Sequence, residues 1–491
     1  MRDKDRNQAA VPAPFFPAGG GRSRCVRHAS WTTIRAMAER TRPIVAVICL
    51  AAVTAVAAYA SSSTTLVLCN GAVVTMAAPG DVHEAIALTG NRILAVGTNN
   101  EILALAGPDT QRIDLAGRAV YPGFIDAHAH LLRDCGRDSL SPAEAQTLAL
   151  SYGITTAAEM VVEPGDLERY KGMAERGEVR VRTRLFFAYN NLCGSVLGPW
   201  YLGMTPFAEI APRLSIAGIK VFVERSSCGS ERAAISFGDE LRPLLSPAGA
   251  FWYGDDRPLF SVDALAAVIR EAAAAGFPVT LHAIGDGGVE TALRALAQAG
   301  EAARTLRPLV LHNLFVRDDL LPLYASLGAT AVVEPINACF VDTYNGMLPI
   351  AYAGIVRRWG DLAASGAHVA AGSDWPWCDA GGLNPMFRLA NLVSPTNASP
   401  AYASWEPCEP LAEGQILSVW DALRAMTIEA ARALHLDDDL GTLEPGKLAD
   451  LVVLSGNPLT TQAAGLSDIR VSMTVVGGQI EWMRGGFFRT E

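Results

Sequence analysis

Between residues 121 and 438, apolar segments typical of strands alternate with segments typical of helices. This alternation restricts the fold more than any other feature, because repeated strand–helix units favour a parallel sheet covered by helices. The number of units fits a (β/α)8 TIM barrel, an α/β fold. The expected strands are 153–157, 181–188, 218–223, 278–282, 309–312, 329–333 and 368–374, and the expected helices are 264–275, 290–298 and 419–434.

Short strands separated by Gly and Asn turns lie on both sides of this region, at 65–120 and 450–482. Such spacing is typical of a small β-sheet unit. We predict that the two chain ends together complete one small β-sandwich, with the barrel inserted between them. The expected domains are a first sandwich part at 61–120, a TIM-barrel catalytic domain at 121–438, and a second sandwich part at 439–491.

The first sixty residues differ from the rest. Residues 1–36 are rich in Pro, Gly, Ala and Arg without a sustained period, and we interpret them as a disordered leader or as sequence upstream of the true start. Residues 37–60 resemble a signal peptide: a basic start, an apolar run, and the small-x-small site Ala58-Tyr59-Ala60. This predicts a secreted or periplasmic protein. The alternatives are a membrane anchor formed by the same segment, for which the run is short, and a transit peptide.

Charge and cysteine usage exclude some functions. Acidic residues outnumber basic ones by 50 to 40, so the chain lacks the basic surface that nucleic acid requires. No C-x-x-C pair occurs, which argues against a structural zinc or redox motif. We expect a small-molecule substrate, no nucleic-acid partner, and no stable membrane partner after signal cleavage. Formation of a homo-oligomer stays open.

Polar residues stand at the ends of several predicted strands. His128 and His130 follow an apolar strand, and residues i and i+2 of a strand point to the same face, so both imidazoles can hold one metal ion. His282, His312 and Asp374 also end predicted strands. Because active sites of TIM barrels lie at the C-terminal ends of the strands, we expect these five residues to meet there.

Lys220 lies inside an apolar strand, in a chain with only four lysines: Lys4, Lys171, Lys220 and Lys447. A buried lysine needs a partner or must lose its charge. One interpretation is a salt bridge to Glu224 or to another barrel carboxylate. The other is a carboxylated lysine, in which a carbamate derived from CO2 bridges metal ions.

Taken together, these motifs resemble the amidohydrolase superfamily, and within it the branch of the YtcJ-like proteins and N-substituted formamide deformylase. The resemblance extends from about Thr65 to Trp482. It rests on His-x-His, the strand lysine, Leu-His-Ala-Ile-Gly-Asp286, Leu-His312, Gly-Ser-Asp-Trp-Pro376 and Leu-Glu-Pro-Gly-Lys-Leu-Ala-Asp-Leu-Val-Val-Leu454.

The resemblance implies a metal-dependent hydrolase with a divalent cofactor, zinc in our interpretation, as one or two ions per chain. His128, His130 and Asp374 would hold one ion. His282 and His312 would hold a second, and Lys220 would bridge the two. Asp374 would also accept the proton of the attacking water, and His312 is assigned a catalytic role beside it. Asp126 and Asp286 lie near these ligands, where they either orient imidazoles or cap adjoining turns.

The chain departs from the branch in three places, and the first two alter the shape of the pocket, so a substrate cannot be transferred from a relative. The segment between the histidine pair and Gly153 is short, whereas members of this branch often have a longer insertion there. Glu224-Arg225 replaces an Asp-Gly pair, and Asn313 follows His312 where Glu-His-Ala is usual. We expect hydrolysis of a C–N bond of amide or N-formyl type, other than a peptide bond. The alternatives are deamination or ring opening of a cyclic amide by the same site, and a non-catalytic binding protein, which loss of ligands would mark.

Overall fold

The computed structural model describes residues 64–191, 194–224, 258–335, 354–377, 380–394 and 413–485. The expected leader at 1–36 and the expected signal at 37–60 lie outside these ranges. No helix within them is both long enough and apolar enough to cross a membrane.

Strands and helices are numbered here in chain order. The strands are β1 Leu66–Cys69, β2 Ala72–Val74, β3 Val82–His83, β4 Ala85–Thr89, β5 Arg92–Gly97, β6 Gln111–Asp114, β7 Ala119–Pro122, β8 Phe124–Ala129, β9 Ile154–Val162, β10 Arg182–Ala188, β11 Glu209–Ala211, β12 Leu214–Phe222, β13 Val279–Ala283, β14 Leu309–His312, β15 Thr330–Val333, β16 His368–Ala371, β17 Leu451–Leu454, β18 Val471–Val476 and β19 Gln479–Met483. The helices are α1 Asn99–Leu103, α2 Pro142–Ser151, α3 Pro164–Glu175, α4 Val262–Ala274, α5 Asp286–Ala299, α6 Glu301–Thr305, α7 Leu321–Leu327, α8 Trp359–Ala364, α9 Pro385–Val393, α10 Val419–Ala425 and α11 Ile428–Ala433.

The larger sheet is a parallel barrel. Its strands run in the order β8, β9, β10, β12, β13, β14, β15, β16, and β11 adds an antiparallel strand beside β12. The ends of the sheet approach each other where Ser373 and Asp374 donate backbone hydrogen bonds of 3.0 and 2.8 Å to the carbonyl oxygen of His128. The predicted TIM barrel is confirmed.

Burial explains why the barrel strands have nearly continuous apolar sequences. Every residue of β8 and β9 is buried, because a parallel strand is covered by helices on one face and by the barrel interior on the other. The helices around them begin at side-chain caps. Ser141 accepts a hydrogen bond from the backbone N–H of Glu144 at the start of α2, and Ser261 caps α4 in the same way.

Strands from both chain ends share a second sheet, which confirms the predicted sandwich. Its order is β19, β18, β17, β7, β2, β3, and β17 pairs antiparallel with β7, with Val453 opposite Val120. A third sheet contains β5, β4, β1 and β6. Leu68 of this sheet and Val453 are fully buried in one apolar cluster, so the two sheets pack face to face.

The single helix predicted over 419–434 is wrong in one respect, because the structure divides it into α10 and α11. The break falls at Met426 and Thr427, where Thr427 leaves the helical region with φ −129° and ψ −96°. The carbonyl oxygen of Met426 then accepts a 2.9 Å hydrogen bond from the N–H of Ile125 in β8. This hydrogen bond at the break between α10 and α11 therefore links the last helices to β8, the strand that leads to the histidine pair.

Candidate metal centre

All six residues predicted as metal ligands lie at one end of the barrel. His128 belongs to β8 and His130 follows it; Lys220 and His282 lie in β12 and β13; His312 ends β14, and Asp374 follows β16. The carboxyl ends of parallel strands meet at one edge, and this edge collects the side chains. The His128 and His312 rings, for example, have centroids 4.9 Å apart.

His128, His130 and Asp374 form the first group. Oδ1 of Asp374 lies 3.1 Å from Nε2 of His128 and 3.2 Å from Nε2 of His130. Two donor atoms that each lie about 2.1 Å from a tetrahedral zinc ion are about 3.4 Å apart. The three donor atoms are therefore spaced as ligands of one ion, and this group fits a divalent metal.

His282 and His312 form the second group. Nδ1 of His282 lies 2.8 Å from Nε2 of His312, and the two ring centroids are 4.3 Å apart. Both side chains are buried. The two ring nitrogens face each other at hydrogen-bond distance, closer than the roughly 3.4 Å between two zinc ligands, so the rings must move apart slightly to hold one ion.

Lys220 is 1 % exposed, and its Nζ has no hydrogen-bond partner among the described residues. The alternative of a salt bridge to Glu224 is not observed. The Glu224 carboxylate instead accepts hydrogen bonds from the backbone N–H groups of Ile284 and Gly285 at the start of α5. An amine buried without a hydrogen-bond partner is costly, and burial favours loss of its charge.

Burial and neighbouring charges shift the pKa values of these groups. Burial lowers the pKa of Lys220 to about 7, although Asp374 and Glu334 oppose the shift. Burial also lowers the pKa of His128 and of His282, and nearby cationic groups add to this effect. Both imidazoles are therefore neutral near pH 7, the state in which they bind metals.

The pKa of Asp374 is also lowered, whereas the pKa of His312 is raised. Burial alone would raise the pKa of Asp374, but the hydrogen bond from His130 and the neighbouring positive charges lower it. Burial alone would lower the pKa of His312, but the charge of Glu334 and its hydrogen bond raise it. Asp374 is thus held as a carboxylate, the form that binds a metal and accepts a proton.

A carboxylate also lies behind each histidine. Nδ1 of His128 is 2.8 Å from Oε1 of Glu334, and Nδ1 of His312 is 3.1 Å from its Oε2. Oδ2 of Asp134 lies 3.4 Å from Nδ1 of His130 without forming a hydrogen bond to it, and this oxygen accepts a 2.9 Å hydrogen bond from the Trp377 indole. Carboxylates in this position orient metal-binding imidazoles.

His282 follows the same pattern more loosely, since its Nε2 lies 4.0 Å from Oε1 of Glu224. Sequence reasoning did not select Glu334 or Asp134. For Glu334 the available signal was an acidic residue directly after the apolar strand β15. For Asp134 it was a carboxylate four residues after His130.

Asp126 contacts main-chain groups and a buried arginine, and Asp286 contacts an arginine beside α5. Oδ1 of Asp126 accepts hydrogen bonds from the backbone N–H groups of Ser373 at 2.8 Å and His128 at 3.3 Å. Oδ2 of Asp126 lies 3.5 Å from the buried guanidinium of Arg388. Asp286 begins α5, and its Oδ2 lies 3.0 Å from Nη1 of Arg317.

Two of the candidate ligands have unusual backbone conformations. His312 has φ 72° and Asp374 has φ 51°, in the left-handed region that non-glycine residues rarely adopt. Asn313, with φ 52°, is fully buried and donates its side-chain amide to the carbonyl oxygens of Val310 and Val332 at 2.8 and 2.9 Å. These bonds fix the turn that follows β14. Strain of this kind costs about 1–3 kcal/mol per residue and concentrates at functional sites.

A parallel barrel with these imidazoles and carboxylates at its carboxyl edge has the arrangement of a metal-dependent hydrolase. The sequence comparisons give the same class. A model of the amidohydrolase family matches residues 143–481, more than half of the chain, and the chain therefore belongs to this family.

The relatives also support the predicted branch. The chain is 28 % identical over 400 residues to an imidazolonepropionase of Symbiobacterium thermophilum, covering 76 % of this chain and 83 % of that one. It is 27 % identical over 223 residues to the putative amidohydrolase YtcJ of Bacillus subtilis, covering 44 % of this chain and 40 % of that one. It is 42 % identical over 66 residues to an N-substituted formamide deformylase of Arthrobacter pascens, covering 13 % and 12 %.

Solved structures agree on the fold. An uncharacterized metal-dependent hydrolase from Pyrococcus furiosus superposes with a TM-score of 0.64 and 18 % sequence identity, covering 80 % of this chain and all of that one.

Proposed function

We propose that this enzyme hydrolyses an amide or N-formyl bond of a small molecule, with Asp374 as the general base. The observation that carries the proposal is the Asp374 carboxylate, 3.1 and 3.2 Å from the two imidazole nitrogens of the histidine pair. A divalent metal, zinc in our proposal, lowers the pKa of water toward neutrality and polarises the scissile carbonyl when bound at such a site. The short, 42 % identical match to the deformylase supports the N-formyl class.

The chain's own residues supply the remaining steps. His128, His130, His282 and His312 would hold the metal through ring nitrogens, and Glu334 keeps the orientation of His128 and His312. Asp374 receives a proton from the attacking water and can return it to the leaving nitrogen, which would otherwise depart as an unstable anion. In this proposal Lys220, as a carbamate, supplies the negative charge between the two histidine groups.

A second candidate is the ring opening of a cyclic amide, or deamination, by the same site. The match over 400 residues to a protein named imidazolonepropionase favours this candidate, because that name indicates a heterocyclic substrate. The two candidates share every ligand and differ only in the groups that hold the substrate. Products therefore distinguish them better than ligand mutations do.

Metal analysis followed by a substrate panel tests the proposed function. We expect one or two equivalents of a divalent metal, and hydrolysis of N-formyl or simple amide compounds to a carboxylate and an amine. Ring opening would yield a single product, and deamination would release ammonia from an exocyclic amine. Protein that binds no divalent metal, or metal-loaded protein that cleaves no C–N bond in the panel, would contradict the proposal.

We also propose that the enzyme is exported. Support comes from the apolar run and the Ala58-Tyr59-Ala60 site of the sequence. Expression of the full chain in a bacterial host should yield mature protein that begins at or near Ser61 and lies outside the cytoplasm. N-terminal sequencing and cell fractionation check this. A membrane-bound product that keeps residues 37–60 would instead support the anchor.

A further inference from the structure

Glu334 is a buried carboxylate that contacts two of the metal-binding histidines at once. It follows β15 directly and is 5 % exposed. Its Oε1 lies 2.8 Å from Nδ1 of His128, and its Oε2 lies 3.1 Å from Nδ1 of His312. Both distances are ordinary for an N–H···O hydrogen bond. Each oxygen of one carboxylate therefore serves a different imidazole.

The Nε2 atoms of His128 and His312 face two different candidate ligands. Nε2 of His128 lies 3.1 Å from Oδ1 of Asp374, and Nε2 of His312 lies 2.8 Å from Nδ1 of His282. A neutral imidazole has one N–H and one lone pair, and an ionised carboxylate can only accept hydrogen bonds. If Glu334 accepts from both Nδ1–H groups, the lone pairs of both Nε2 atoms are turned toward the two ligand groups.

We propose that Glu334 is a positioning residue that fixes the tautomer and orientation of His128 and His312 together, and so connects the two histidine groups of the metal centre. The proposal rests on the proposed function only in requiring that the site binds metal. A carboxylate behind a metal-binding imidazole fixes the orientation of the ring it contacts. Here a single side chain orients one ligand from each group.

The competing role for Glu334 is direct ligation, since His128, His312 and Glu334 could themselves surround an ion. Ligation would require both Nδ1 lone pairs to face that ion, which leaves both Nε2 atoms protonated. His128 would then be lost from the group it forms with His130 and Asp374. Nε2 of His128 lies 3.1 Å from Oδ1 of Asp374, close to ligand spacing, and this favours the positioning role.

Glu334→Gln tests the proposal while keeping the shape of the side chain. A glutamine amide can accept an N–H from one imidazole with its oxygen, but it presents an NH2 group to the other. One histidine must then rotate or change tautomer. We expect metal affinity to fall by about 10–100-fold, measured by competition with a chromophoric chelator. The absorption spectrum of the cobalt-substituted protein should change as well.

Glu429→Gln is the matched control. Oε2 of Glu429 lies 2.8 Å from Nδ1 of His368, the same type of contact at the opposite end of β16 from the metal centre. It should leave metal affinity and the cobalt spectrum unchanged. If Glu334→Gln does not fold, Glu334→Asp takes its place: the shorter carboxylate reaches only one imidazole, and the same loss of affinity is expected.

The outcomes separate this proposal from the proposed function. Wild-type protein that binds no metal would contradict the proposed function. Wild-type protein that binds metal, with a Glu334→Gln variant of equal affinity and equal spectrum, would contradict the positioning role alone. A crystal structure of the zinc-loaded enzyme with a Glu334 oxygen about 2.0–2.2 Å from an ion would make Glu334 a ligand and overturn the proposal.

Discussion

Asp374→Asn should lower turnover by about 10²–10⁴-fold or more, the range typical of general acid–base catalysis. Asparagine has nearly the same shape and can still offer its amide oxygen between His128 and His130. It cannot accept a proton at neutral pH. The Asp374 carboxylate can accept a proton because it is ionised. The hydrogen bond from His130 and the neighbouring positive charges hold its pKa low despite burial.

The test measures turnover and metal content on the same preparation. Part of the metal should remain, since the two imidazoles are unchanged, and the fold should survive. Asp263→Asn is the control, because Asp263 is exposed at the start of α4 and contacts Gln298 there. A variant at Asp374 with a full metal complement and near wild-type turnover would show that Asp374 is not the base.

The sequence predicted the barrel and the positions of the six ligand candidates for one reason. A polar residue at the end of an apolar strand is unusual, and a parallel barrel gathers all strand ends at one edge. His282 and His312 could therefore be placed together although thirty positions separate them. The departure at Asn313 could be noticed, but its contacts with Val310 and Val332 could not, because they depend on a turn with positive φ.

Glu334 shows what sequence reasoning cannot reach. Glu334 follows an apolar strand as the ligand candidates do, but this position does not show which side chains it contacts. Its contact with His128 joins residues 206 positions apart, and it depends on how far the barrel closes between β8 and β15. The contacts of Asp126 could not be predicted for a similar reason. Asp126 binds backbone N–H groups, and such contacts do not depend on residue type. The break between α10 and α11 likewise follows from the hydrogen bond to Ile125 rather than from local propensity.

Lys220→Ala should remove most of the metal and most of the activity, if Lys220 carries the proposed carbamate. The neutral Nζ would form an N–C bond with CO2 and release one proton, which leaves a group with one negative charge. Burial favours this reaction, because it lowers the pKa of the amine to about 7 and so leaves a large neutral fraction at neutral pH. Mutation of a residue behind a ligand typically lowers metal affinity by roughly 10–100-fold. Loss of a direct ligand should lower metal affinity by at least this much.

Rescue by small carboxylic acids distinguishes this role from that of an ordinary buried cation. Alanine leaves space in which acetate or propionate can place a carboxylate near the position of the carbamate, so added acid should restore part of the metal content and turnover. Lys171→Ala is the control, because Lys171 forms an exposed pair with Glu168 on α3 and should change neither quantity. A structure with an unmodified Lys220 amine beside a full metal complement, or a Lys220→Ala variant that keeps its metal and its activity, would refute the carbamate. Neither result would affect the assignment of Asp374, because the contacts of that carboxylate with His128 and His130 do not involve Lys220.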